Sequence, residues 1–454
     1  MASTRITYTQ VAPTDNKKWT FSCWFKRATL SVAQDMMSCY VDGDNLVKLQ
    51  LPADDSLKFY QWDSGYSGRL KTNRKFRDVG AWYHVVVVFD SDNGTPGDRL
   101  RMYINGVEET SFEDDGNPDS GLVSIMNASG RVFELGAANS AQYFSGEMSH
   151  VQFVDGSALA PTEFGEVDAT SGIWKLKTTA YATPGNNGVF LKMEDRTNLD
   201  LDSSSNAFTC TTGGTLTATY DNPSNNFCLP NNLNKYWSGA SAPNWSNGNT
   251  TVNFNSSNEG FLDSTMGVAA GKWYWEVEMD STSGTLANIQ AYGGVCGIQP
   301  TSTSAAAASK SDGYVYFMSS GAIGNNGGET AAWGTTFSTG DILGIALDIT
   351  NSKIYFARNG TWMNSGDTTS GATGTGAAYT ISATPSSGNY FPVFGKGSTS
   401  SYTWTMHTNF GNGYFGTTAV TSANADDAGI GAFEYDVPTG YYTLCTKNIK
   451  AYGG

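Results

Sequence analysis

The chain has 454 residues, among them 52 glycines, 23 tyrosines, 23 phenylalanines and 12 tryptophans, and its 27 Lys plus Arg against 42 Asp plus Glu leave a formal charge of −15. That charge repels phosphate backbones and acidic lipid surfaces within the Debye length, which argues against nucleic acid and membrane as partners. A composition rich in aromatics and glycine favours strands and turns over helices, and at ~150 residues per domain the length predicts two or three domains.

The leading MASTRITYTQ carries no basic segment followed by an apolar run, and no window reaches 18 apolar residues. Neither a signal peptide nor a membrane span is expected. Cys23, Cys39, Cys210, Cys228, Cys296 and Cys445 are scattered with no C-x-x-C pair, so they read as free, buried thiols suited to a reducing cytoplasm.

In chain order, WTFSCWFKR alternates so that Trp19, Phe21, Cys23 and Phe25 share one face and Thr20, Ser22, Trp24 and Lys26 the other, which predicts a half-buried strand. Strands follow at NLVKLQL, SLKFYQW, WYHVVVVFD, RLRMYING, RVFELGA and MSHVQFVDG, each ended by Gly, Asn, Asp or Pro. His84 to Asp90 is apolar on both faces and therefore predicted to be central, and Asn105-Gly106 signals a hairpin turn. Residues 1–195 are read as one antiparallel sandwich. Residues 196–234 turn to Asn, Ser, Thr and Gly, with Phe208, Tyr220 and Phe227 needing burial, and are read as a structured connection. Residues 235–415 form a second unit, with strands at TVNFN, KWYWEVEMD, GGVCGIQ, GYVYFMS, DILGIALDIT, SKIYFARNG, YFPVFGKG and SYTWTMHTNFG. TSTSAAAASKS and NSGDTTSGATGTGAAYT read as surface loops between them. Residues 416–454 lose periodicity and then end in FEYDVPTGYYTLCTKNIKAYGG, whose aromatic content predicts a docked segment. The fold class is thus all-β, two tandem jelly-roll sandwiches with a docked C-terminal segment.

Several stretches carry family resemblances. WTFSCWFKR, FRDVGAWYHVVVVFD, RLRMYING and FSGEMSHVQFVDGSALAPTEFGE resemble the laminin-G-like, concanavalin-type jelly roll. GKWYWEVEM, GVCGI, GDILGIALDITNSKIYFARNGTW and YFPVFG resemble a SPRY domain. VDGSALAPTEFGE, with TSGIWKLK, PGNNGVFLKM, DNPSNNF and the ending VPTGYYTLCTKNI, is similar to a pattern repeated in structural proteins of tailed phages, especially marine ones. The resemblance implies a virion component of capsid, neck or tail fibre, assembled in the host cytoplasm. It also implies other virion proteins as partners, a homo-oligomer such as a trimer, and attachment to a host surface glycan.

Candidate chemistry is sparse. Glu276, Glu278 and Asp280 alternate in WEVEMD, about 7 Å apart on one strand face. Paired carboxylates could serve a depolymerase, although the pattern departs from the Glu, Asp, Glu order of glycanases and falls on the face turned away from the tryptophans. His84, His150 and His407 lack zinc-binding spacing and read as packed or solvated residues. No enzymatic centre is expected. The laminin-G resemblance implies a Ca²⁺ at a loop edge, with candidates Asp90, Asp92 and Asp98 in one loop and Asp114, Asp115 and Asp119 in another. For a glycan, Trp62, Tyr66, Trp237, Trp245 and Trp333 sit in turn-rich segments where aromatic rings could stack on sugars.

Overall fold

A computed structural model describes residues 3–237, 243–254, 260–283, 289–299, 306–397 and 402–453, the side chains of 235–237 excepted. Its backbone forms two compact units, Met1–Ala218 with Asn222–Ser224 and Thr219–Asp221 with Asn225–Gly454. Each is an all-β sandwich.

In the first unit an eight-stranded antiparallel sheet runs Phe112–Gly116, Tyr66–Thr72, Lys58–Asp63, Asn45–Leu51, Gln34–Asp42, Val132–Leu135, Arg5–Thr9, Thr211–Gly213. It faces a six-stranded one ordered Val189–Leu191, Gly146–Asp155, Lys18–Arg27, Tyr83–Asp90, Leu100–Ile104, Val107–Glu108. The core between them takes Trp19, Phe21, Cys23 and Phe25, all fully buried, as the alternation requires. Trp19 stacks on Phe89, with ring centroids 5.4 Å apart. Tyr83–Asp90 lies between two strands, and Asn105 and Gly106 have φ of 50° and 79°, the positive pair that a two-residue hairpin turn demands.

The half-buried expectation for Lys18–Arg27 needs correction, because Thr20, Ser22, Trp24 and Lys26 are buried as well. The outer face of this sheet is overlaid by the segment that follows Gly146–Asp155. Phe164, Leu159 and Tyr181 pack there on Val86, Val88 and Tyr103, and Thr20 donates its hydroxyl hydrogen to Ser157 O at 2.8 Å. Trp174 donates its Nε1–H to His84 Nδ1 at 3.0 Å. Below the core, Arg27, fully buried, pairs with Asp55 at 3.0 Å, and Arg77 holds the other carboxylate oxygen at 3.0 Å.

The stretch read as a connection is shared. Thr211–Gly213 pairs with Arg5–Thr7 at a sheet edge of the first unit, Asp202 accepts backbone N–H bonds from Phe190, Ser204 and Phe208, and Phe208 packs on Tyr8. From Asn225 onward it belongs to the second unit, where Phe227 is buried.

In the second unit a seven-stranded sheet (Pro230–Trp237, Gly260–Ser264, Phe391–Lys396, Ala291–Cys296, Gly313–Phe317, Ala322–Asn325, Gly328–Thr330) packs on a larger sheet centred on Lys272–Thr282 and Ile342–Asp348. Trp273, Trp275, Val277 and Met279 of the central strand enter the shared core. Trp404–Asn409 pairs with that strand from Glu276 onward, which leaves the Trp273–Tyr274 edge open to another partner. Tyr442–Thr443 of the C-terminal segment fills the place in parallel register. Helix Thr446–Tyr452 follows, with Tyr452 stacked on Tyr442 at 3.7 Å. The docking expected of the terminus is therefore strand addition followed by one helical turn pair.

The alanines of TSTSAAAASKS depart from the surface-loop expectation. Residues 301–305 lie outside the described residues, but Ala306, Ala307 and Ala308 are buried against Tyr292, Val315 and Phe317. Small apolar side chains fit where a loop crosses a sheet face. Among the described residues no helix is long and apolar enough to cross a membrane.

Candidate functional site

Strand Lys58–Asp63 alternates strictly, with Phe59 and Gln61 fully buried and Lys58, Tyr60 and Trp62 directed outward. Its neighbour Tyr66–Thr72 buries Gly68 and Leu70 and turns Tyr66, Arg69 and Lys71 to the same outer face. Trp62 is the register partner of Tyr66, across a turn in which Asp63 N donates to Gly65 O at 2.8 Å. The two rings lie 4.7 Å apart and 85° to one another, forming a corner, and Tyr60 meets Tyr66 edge-on at 5.9 Å. Tyr66 is 44% exposed. Thus Trp62 and Tyr66 are brought together as one aromatic surface.

Cations frame that surface. Lys58 Nζ stands 4.6 Å from the Tyr60 ring centre and 4.9 Å from that of Tyr66, and donates to the Tyr66 hydroxyl at 2.9 Å. The Arg69 guanidinium covers Tyr66 at 4.7 Å. Burial pushes the Tyr60 phenol up to about 12, so it stays protonated. Arg69 is compensated by Asp114 at 2.6 Å, Lys71 by Glu113 and Asp54 at 2.9 and 3.1 Å, and Lys48 by Asp35 at 3.0 Å. Lys58 has no carboxylate within ion-pair distance among the described residues, so its charge remains available to a ligand. Lys58, Tyr60 and Arg69 were not singled out from the sequence, although the K-F-Y-Q-W alternation places the first two beside Trp62.

The other aromatic candidates go elsewhere. Trp245 sits on strand Asn244–Ser246 and packs against the second core, which makes it a packing residue more than an open platform. Trp237 ends strand Pro230–Trp237, and its side chain lies outside the described residues. Trp333 lines a separate cleft of the second unit with Trp362, a residue the sequence reading passed over.

The aspartates are not gathered into a cation cage. Asp90 lies 3.6 Å from Lys18 and Asp92 3.4 Å from Lys17, while Asp98 closes a short turn at Pro96–Asp98. Asp114 is taken by Arg69, and Asp115 and Asp119 are exposed. Among the described residues no three His, Cys, Asp or Glu side chains converge where a metal ion could sit. Lysine and arginine take Asp90, Asp92 and Asp114, and Asp98, Asp115 and Asp119 do not converge with two further donors among the described residues, so this donor set does not fit Ca²⁺.

Glu276 does face away from the tryptophans, but it is not on an outer surface, because the C-terminal segment covers it. Its Oε1 accepts from Tyr274 Oη at 3.0 Å and Tyr435 N at 2.9 Å, and its Oε2 from Glu434 N at 3.0 Å and Asn409 Nδ2 at 3.3 Å. The Asn409 orientation is fixed, since its Oδ1 accepts from Gly411 N and Gly413 N. Burial outweighs these donors and pushes the Glu276 carboxyl up to about 7. Glu278 is half-buried, and Asp280 lies 3.5 Å from His407. A carboxyl enclosed in this way holds a chain segment and has no open side for a substrate. The histidines stay apart: His84 is buried between Trp24 and Trp174 and held down at about 3, hence neutral, and His150 lies 3.2 Å from Glu194.

Comparison with known proteins bears on both units. Residues 2–163 match the Concanavalin A-like lectin/glucanases superfamily, and residues 272–412 match the SPRY domain. No curated protein matches the chain. Among solved structures it is similar to the SPRY domain of human HERC1, at 17% identity over 40% of this chain and 92% of that one, TM-score 0.27. It is similar to a heptameric SAP-like pentraxin from Limulus polyphemus, at 16% identity over 48% and 91%, TM-score 0.30. It is also similar to domain 4 of AbnA, a GH43 extracellular arabinanase from Geobacillus stearothermophilus in complex with arabinotriose, at 20% identity over 34% and 66%, TM-score 0.26. Likenesses of that identity and TM-score carry nothing about ligands.

Proposed function

We propose that this chain, which carries a concanavalin A-like domain followed by a SPRY domain, is a display protein that holds a saccharide against the Lys58–Trp62–Tyr66 face of its first unit. The observation that supports this most is the corner of Trp62 and Tyr66, perpendicular at 4.7 Å, with an uncompensated ammonium beside it. One ring offers a flat face to the C–H side of a sugar, the other stops it from sliding, and Lys58 and the phenols donate to its hydroxyl or carboxylate oxygens. The surface is built on two paired strands, so it is rigid before a ligand arrives.

The placement of the protein on a tailed-phage virion, as a fibre, neck or capsid decoration, rests on the sequence resemblance of VDGSALAPTEFGE, TSGIWKLK, PGNNGVFLKM, DNPSNNF and VPTGYYTLCTKNI. In that setting the chain is a homo-oligomer, with a trimer fitting three-fold positions, attached to other virion proteins and displaying its saccharide face to the host. A glycan array probed with the intact oligomer tests the reading. Binding should appear and should weaken at least about tenfold in Trp62→Ala, whereas no binding to any saccharide would overturn it.

A further inference from the structure

The second unit contains a cleft of about 500 Å³ between the loop that precedes Ile342–Asp348 and the hairpin joining Lys353–Arg358 to Thr361–Trp362. Two half-buried indoles line it, and each is fixed from behind. Trp333 meets Tyr316 edge-on at 6.3 Å and Phe356 at 6.4 Å, and Trp362 meets Tyr274 at 6.3 Å and Tyr355 at 6.5 Å. A ligand entering between them therefore orders little that is not ordered already.

The polar lining is neutral in sum. Arg358 is the charged residue of the cleft, and its Nε and Nη2 both donate to Asp341 Oδ2, at 3.0 and 2.6 Å. Asn359 Nδ2 holds the other Asp341 oxygen at 2.6 Å, and its Oδ1 accepts from Ile342 N at 2.8 Å. What faces a ligand is thus two half-buried indoles, the exposed side chains of Thr335 and Thr361 and the exposed Asn364 amide, whose Nδ2 also donates to Trp333 O at 3.0 Å.

We infer that this cleft is a second ligand site, for a short neutral saccharide. Flat indole faces suit the apolar side of a pyranose, and neutral donors and an amide suit its hydroxyls. A carboxylate or phosphate would find no uncompensated cation here, unlike at Lys58. A peptide adding as a strand would need a longer open edge than the two residues of Thr361–Trp362. This site shares no residue with the Trp62–Tyr66 face, so either can fail without the other.

Calorimetry and affinity electrophoresis of the full chain, using neutral gluco-, manno- and galacto-hexaoses, a galacturonate hexamer and a proline-rich peptide, test it. At least one neutral hexaose should bind, with a Kd raised about tenfold or more in Trp333→Ala and Trp362→Ala and changed by less than about twofold in Trp62→Ala. Because the indoles also pack on neighbours, Thr361→Arg serves as a second variant: it obstructs the cleft from an exposed position and should remove binding in a protein whose fold is undisturbed. Three results would overturn the inference. They are failure of every neutral hexaose to bind, neutral binding that survives both Trp362→Ala and Thr361→Arg, and capture of the galacturonate or the peptide in place of the neutral sugars.

Discussion

Glu276 shows how one side chain can be misread from its spacing. As the first member of an alternating Glu, Glu, Asp run it resembles half of a catalytic pair, yet four donors close around it and tie Glu434 and Tyr435 of the C-terminal segment to the central strand. Its raised carboxyl has a thermodynamic consequence. The unfolded chain ionises near the ordinary glutamate value of ~4.3 and the folded chain only at about 7, so stability is fully present below the lower value and is lost as pH rises through the window. Urea unfolding of wild type and Glu276→Gln between pH 4 and 8 should show a difference that shrinks by on the order of 3 kcal/mol across that range. A difference that grows with pH instead would mean that the four donors favour the carboxylate more than burial disfavours it. The Trp62–Tyr66 corner is the opposite case. Both residues were legible as ring-bearing turn neighbours, but their perpendicular contact and the cation beside them depend on a register shift between Gln61 and Trp62 that no spacing announces.

At the scale of elements, the segment over the outer face of the six-stranded sheet accounts for the burial that alternation could not foresee. Polar Thr20 and Ser22 read as solvent-facing, and a local pattern has no means of showing that a stretch more than a hundred residues later will cover them. Within that covering segment Gly165–Val167 pairs antiparallel with Trp174–Leu176, and this hairpin is seated through glycine. A Cβ on Gly165 would lie 2.4 Å from the Trp174 ring, and one on Gly106 would lie 2.5 Å from it, so the indole rests directly on two backbones. Gly165→Ala should therefore displace Trp174 and lower the stability of the first unit by about 1–3 kcal/mol, with the His84 imidazole becoming detectable by NMR titration. Unchanged stability and a silent His84 would show that the hairpin yields without cost. The strands themselves were largely legible, since WYHVVVVFD, DILGIALDIT and KWYWEVEMD have periodicity dense enough to name them. Gln34–Asp42, Tyr66–Thr72 and Phe112–Gly116 were missed because their alternation is broken by polar residues held in cross-strand pairs.

Across the whole molecule, two large aromatic cores imply two sources of stability. The Arg27–Asp55 pair belongs to one of them, and removing Asp55 strands a fully buried guanidinium. Asp55→Ala should cost about 3–5 kcal/mol and lower the melting transition of the first unit, leaving that of the second in place by calorimetry. Movement of both transitions together would show that the two cores unfold as one. Composition and periodicity by themselves determined that this is an all-β, acidic protein of two aromatic-cored sandwiches with a docked end, because strand pattern and turn chemistry act over a few residues and are written locally. Which acids are enclosed, which tryptophans line a cleft and what stands beside Lys58 were decided only in three dimensions. Those properties depend on what lies across a sheet or over a face, and partners distant in sequence supply it.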